Sequence, residues 1–265
     1  MTRPVAGVAT WRWLLLVIGV VALVLAFATK SSSKTQPVAT VDGQEISLQT
    51  FDHWLKSSAI AAHSSSSSIP NFVPDAPGYV KCIQYIHQAA VKAKKTVSDT
   101  TALSDCHQLR EALAEEVMQL LISSYWILHE GQLEGVSVTQ AQIDDAVHKS
   151  LPKTGLVSYL KGNGLSREDL AFEAKVSLIA QKLSSRHAGA TPTITAAQIQ
   201  QFYNANKSSL GSETLAQATP AIKQELIAEA QAPAVEKYLT TVQQRFQPRT
   251  TCARGYRVAY YCKKT

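Results

Sequence analysis

The chain has 265 residues, 45% of them apolar, and a formal net charge of +6. That length holds one or two domains and leaves room for a sizeable core. Arg3, Arg12 and Lys30 precede any acid, so residues 31–265 carry only +3, a scattered excess that gives no support for nucleic-acid binding.

Trp13 to Ala28 is an unbroken apolar run of 16 residues behind Arg3 and Arg12. Residues 1–29 are therefore expected to be a transmembrane anchor or a signal peptide. Spanning needs about 20 residues, with a lower limit near 17. Including Thr10, Trp11 and Thr29 reaches that limit and puts Trp11 and Trp13 at the interface. Ala26-Phe27-Ala28 is also an A-x-A cleavage pattern. A single-pass anchor in the cell membrane with its N-terminus inside is preferred. Secretion after cleavage is the alternative. Both readings put the bulk of the chain outside the cytoplasm. Residues 30–37 have the composition of a linker.

Val38 to Asp42 suits a short strand. Asp42-Gly43 is a turn dipeptide, because glycine reaches positive φ without a Cβ clash. Ser47 then caps a helix over 47–62 that carries Phe51, Trp54 and Leu55 on one face. The Ser64–Ser68 run and Pro70, Pro74 and Pro77 interrupt regular structure. A helix from Tyr79 to Val91 follows. The longest periodic stretch is 103–131, with Leu109, Leu113, Val117, Leu120, Ser124 and Ile127 along one face, and with Gly131 and Gly135 at its end.

Thr139-x-x-Gln142 is a capping box that opens a helix ended by Leu151-Pro152. A turn of helix at 156–160 leads to the breaker Gly162-Asn163-Gly164. Ser166-x-x-Asp169 starts another helix, lined by Phe172, Val176, Ile179 and Leu183. Thr195-x-x-Gln198 opens the next, with Ile199, Phe202 and Tyr203. The final helix runs from Thr214 or Thr219 to Phe246. Its expected buried face is Ile222, Leu226, Val235, Leu239, Val242 and Phe246, and Pro233 should kink or break it. Arg257–Tyr261 is a further strand candidate. The fold class is mostly α, an N-terminal membrane helix followed by a helical domain with one or two very short strands.

Four cysteines behind an export signal imply disulfides. Three pairings exist, and the two local ones, Cys82–Cys106 and Cys252–Cys262, are expected. Cys82, His87, Cys106 and His107 lack the paired spacing of a zinc site, so no metal is expected. No cofactor-binding or catalytic motif occurs: G-x-S-x-G, H-E-x-x-H, Walker and G-x-G-x-x-G are all missing. Glu115-Glu116 and Asp144-Asp145 are adjacent pairs that diverge on a helix, so neither is an acid/base dyad.

Four segments carry a resemblance. They are Val38-Ala-Thr-Val-Asp-Gly-Gln-Glu-Ile-Ser47, Thr139-Gln-Ala-Gln-Ile-Asp144, Gly164-Leu-Ser-Arg-Glu-Asp-Leu170 and the stretch Thr193 to Asn206 with its Phe202-Tyr203-x-x-Asn206. In this order they resemble the SurA/PrsA-type extracytoplasmic chaperones over about 38–208. The resemblance implies a SurA N-terminal-like helical chaperone domain over 38–248, including a returning C-terminal helix, with a disulfide-closed tail over 249–265. In PrsA-like members a parvulin prolyl-isomerase domain follows the tyrosine motif. Here only the 10 residues Ser208–Gln217 precede the final helix. The isomerase domain is therefore expected to be missing, and the chain is read as no enzyme.

The implied function is an ATP-independent holdase for unfolded or partly folded secreted polypeptides, without cofactor. Phe51, Trp54, Tyr125, Trp126, Phe172, Phe202 and Tyr203 are the candidate client contacts. A residual prolyl isomerase and a membrane-tethered interaction protein are the alternatives.

Overall fold

The computed structural model describes residues 37–151 and 156–264. The anchor or signal expected over 1–29, most of the linker and Pro152 lie outside them. No helix among the described residues is long and apolar enough to cross a membrane. The residues fall into two compact units, one up to Ile179 together with Arg245 onward, the other Ala180–Gln244.

The first unit opens with a hairpin of β1 (Ala39–Val41) and β2 (Gln44–Ile46). Asp42 and Gly43 make its turn, with φ of 47° and 86°, the left-handed pair a tight hairpin needs. The sequence reading placed no strand at Gln44–Ile46, because two of its three residues are polar. Both are exposed while Ile46 is fully buried. The third strand, β3 (Thr250–Cys252), comes from the other end of the chain and pairs antiparallel with β1, giving the order β2-β1-β3. The strand candidate at Arg257–Tyr261 is not one: it lies in irregular chain and turns. The Cys252–Cys262 bridge bends this segment back, and the Lys263 N–H bonds the Thr250 carbonyl at 2.6 Å.

Helix α1 (Leu48–Ser65) starts where Ser47 accepts the Thr50 N–H at 3.0 Å. Helix α2 (Val80–Lys92) is joined by Cys82–Cys106 to α3 (Asp99–Leu133), the long helix of the unit. Tyr79, Cys82 and Cys106 form a small satellite core with Phe72, Ile83 and Ile86. Helix α3 packs on α1, on α2 and on β1. It passes through Gly131, expected as its end, and stops before Gly135 at φ 64°. Gly131 serves closeness instead: a Cβ there would lie 2.7 Å from the Ile179 Cγ2. Helices α4 (Gln140–Ser150) and α5 (Leu156–Asn163) follow, the first opened by the full Thr139–Gln142 capping box.

Helix α6 (Arg167–His187) leaves the first unit at Ile179. The second unit holds its last turns, then α7 (Ala196–Asn206) behind the Thr195–Gln198 capping box, and α8 (Leu215–Phe246) up to Gln244. Helix α8 runs unbroken through Pro220 and Pro233, so Pro233 does not break it in two. Both prolines are exposed, so the carbonyl each one releases faces water, which satisfies it at little cost. On the same helix Leu239 is 42% exposed and Tyr238 is buried in its place. Among the other residues expected on that face, Ile222, Val242 and Phe246 are buried and Leu226 and Val235 are half-buried.

Candidate functional site

Six of the seven candidate client contacts fall into three pairs, and Tyr125 belongs to none of them. Phe51 and Trp126 stand at the sheet and are buried. The Phe51 ring meets Tyr256 edge-on at 5.1 Å. Trp126 stacks with Phe246 and lies 5.1 Å from Tyr261. Its Nε1–H donates to Thr250 Oγ1 at 2.8 Å, and that hydroxyl donates to the Phe246 carbonyl at 2.9 Å. These bonds fix the start of the tail on α3, so Phe51 and Trp126 are closed off by tail tyrosines.

Trp54 and Phe172 form the second group, both buried, with ring centroids 6.4 Å apart. They join α1 to α6 as core. Tyr125 is half-buried, and burial pushes its phenol upward in pKa. Phe202 and Tyr203 make the third group, on α7 of the second unit. Both are half-buried, and the Tyr203 hydroxyl donates to the Glu213 carbonyl at 2.7 Å. Four of the seven therefore offer no surface. Aromatic side chains at helical spacing mark a buried face as readily as a binding face, and the sequence pattern alone does not separate the two.

A polar cluster that the sequence reading passed over lies between α1 and α6. His53 Nε2 sits 2.9 Å from Asp169 Oδ2. The same carboxylate oxygen accepts the Ser166 N–H at 2.6 Å, while Ser166 Oγ accepts the Asp169 N–H at 3.1 Å. The helix-start motif was visible, but its service to His53, 116 positions away, was not. One turn along α6, burial and then the charge of Asp169 push the Glu173 carboxyl up to about 8. A shallow depression of about 490 Å³ opens beside Leu48, Gln49, Asp52, His53 and Lys56. The His53–Asp169 contact ties α1 to the start of α6.

Both thiols of the rejected zinc set, Cys82 and Cys106, are engaged with each other. His87 pairs with Asp99 at 2.8 Å and His107 with Glu111 at 3.2 Å. Among the described residues no group of three or more His, Cys, Asp or Glu is placed to hold a metal ion.

The second unit differs from the first in how it places apolar side chains. Only Leu183, Ala188, Ala218, Ile222, Tyr238 and Val242 are buried in it. Ile199, Phe202 and Tyr203 on α7 and Leu226 and Ile227 on α8 are half-buried, and Leu239 is exposed.

Comparisons of this chain with protein-family models, with curated proteins and with solved structures give no match.

Proposed function

We propose that the chain is an extracytoplasmic, ATP-independent holdase whose second unit touches the client. The observation that carries this reading is the thin core of that unit. Helices α7 and α8 leave whole aromatic and aliphatic side chains part-way in water, at i, i+3 and i+4 on α7. A contiguous apolar patch marks a surface that meets apolar partners, and Ile199, Phe202 and Tyr203 share one face of α7. Such a surface on two helices suits loose, sequence-tolerant contact with an unfolded segment.

Three further features support the reading. The capped helix starts at Ser47, Thr139 and Thr195 fall in segments that carry the SurA/PrsA resemblance. Only residues 207–214 separate α7 from α8, which leaves no room for an isomerase domain at the point where the resemblance would put one. The two disulfides suit an oxidising compartment outside the cytoplasm.

The test is light scattering from a thermally unfolding model enzyme, with the full chain embedded in nanodiscs and empty discs as control. Suppression at near-stoichiometric ratio without ATP is expected. Phe202→Ser with Leu239→Ser should weaken it at least fivefold, while the circular dichroism of the protein stays unchanged. Undiminished scattering with folded, disulfide-intact protein would sink the holdase and leave a tethered interaction protein. Suppression that survives the double substitution would move the client surface off α7 and α8.

A further inference from the structure

The tail carries Arg249, Arg254, Arg257, Lys263 and Lys264 and not one acid. Those five exceed the +3 of residues 31–265, so the rest of that stretch is net acidic. The excess positive charge is gathered at one place. Arg249 is spent on Asp42, 3.5 Å away. Arg254, Arg257, Lys263 and Lys264 are all exposed. The Cys252–Cys262 bridge closes the loop, and Arg257 Nη2 donates to the Lys263 carbonyl at 3.2 Å. That bond holds the Arg257 guanidinium against the backbone of the opposite arm. Tyr260, 72% exposed, stands on the same loop.

The root of this loop is fixed beside the chain's entry into the fold. The Ala253 N–H bonds the Val38 carbonyl at 2.9 Å. Val38 lies ten residues after Ala28, the last residue of the apolar run. Ten residues reach at most about 35 Å. The end of the run therefore lies within that distance of Val38, where the root of the tail is bonded.

We propose that the loop 253–264 docks on the anionic headgroups of the bilayer that holds the apolar run. The proposal rests on that run being retained as an anchor. Clustered Lys and Arg beside an anchor gain from a negative lipid surface, and tyrosine settles at the headgroup level. Four exposed cations on one short loop, tethered within reach of a membrane, suit a flat anionic surface. A nucleic acid would ask for a longer stripe of phosphate contacts.

The experiment reconstitutes the full chain into nanodiscs of phosphatidylcholine alone, or of phosphatidylcholine with phosphatidylglycerol at about seven to three. Amide hydrogen exchange of residues 253–262 is followed by mass spectrometry. Slower exchange in the anionic discs at low salt is expected, and 0.5 M salt should reverse it. Each charge contributes about fivefold to docking, so Arg254→Gln with Lys264→Gln should weaken it about 25-fold and abolish the slowing. Lys94→Gln with Lys95→Gln, the same charge change at the end of α2, should leave the slowing intact. Equal exchange in neutral and anionic discs overturns the proposal. Slowing by a soluble polyanion but not by anionic discs overturns it too and assigns the loop to that polymer. Failure of the intact chain to enter discs at all overturns the anchor, and the docking with it.

Discussion

Arg245→Met should be strongly destabilising at the end of α8. Arg245 Nη1 donates to both carboxylate oxygens of Glu130 at 2.6 Å. Glu130 is 1% exposed, whereas the arginine side chain is 38% exposed. Removing the arginine strips a buried carboxylate of both guanidinium bonds, a class of change that costs about 3–5 kcal/mol. The half-open arginine puts this case near the lower end, about 3 kcal/mol. For a chain of this size that corresponds to a fall in Tm of about 6–12 °C. The reverse change, Glu130→Met, leaves an arginine that can turn to water, and should cost about 1 kcal/mol. The double variant should recover most of the loss, since apolar replacement of both partners is often neutral. Urea unfolding followed by tryptophan fluorescence measures all three, because Trp126 stacks on Phe246, next to Arg245. Equal losses from the two single variants, or a loss below 1 kcal/mol from Arg245→Met, would refute the argument from unequal burial.

Glu173→Gln should flatten the dependence of stability on pH. The folded carboxyl titrates at about 8 against an ordinary 4.5, so the folded state holds its proton where the unfolded state has lost it. Stability therefore falls as pH rises from about 4.5 to about 8, and the glutamine variant should exceed the parent at pH 8 but not at pH 4; urea midpoints at the two values decide it. Cys82→Ser with Cys106→Ser opens a loop with a sequence separation of 24 and should cost about 3 kcal/mol. It should also make residues 72–106 cleave first in limited proteolysis. An unchanged cleavage order would argue that the satellite core holds without the bond. Gly131→Ala forces α3 away from Ile179 and should cost about 1–3 kcal/mol as overpacking; a thermal melt within 1 °C of the parent would show that the Ile179 side chain simply turns aside.

What could be read from the sequence was local. Ser47, Thr139 with Gln142, and Thr195 with Gln198 cap helices as expected, because a cap is settled by side chains three residues apart. Asp42-Gly43 turns as expected for the same reason. The two disulfides join the cysteines nearest in sequence. The misses are long-range. Thr250–Cys252 becomes a strand because Ala39–Val41 pairs with it and Trp126 bonds Thr250, and neither is near in sequence. Gly131 reads as a stop signal until Ile179 is seen against it. The His53–Asp169 contact joins two helices that sequence reading treats separately. Phe51, Trp54, Trp126 and Phe172 were candidates for a binding surface because periodicity identifies a face, but not what covers it. For Phe51 and Trp126 the covering residues, Tyr256 and Tyr261, come from the tail, which reads in the sequence as a separate closed loop; Trp54 and Phe172 cover each other.

The pairing of β1 with β3 sets an order on biosynthesis. Ala39–Val41 is among the first parts of the described fold to be made, and its second neighbour in the sheet is made some two hundred residues later. While the intervening two hundred residues emerge, β1 has only the hairpin strand beside it, and Trp126 lacks both Thr250 and Tyr261. The first unit is left open until the final segment arrives, with an unpaired strand edge of the kind that invites wrong partners. A chain stopped short of Thr250 would thus keep the free edge of β1 and leave Trp126 without its hydroxyl acceptor.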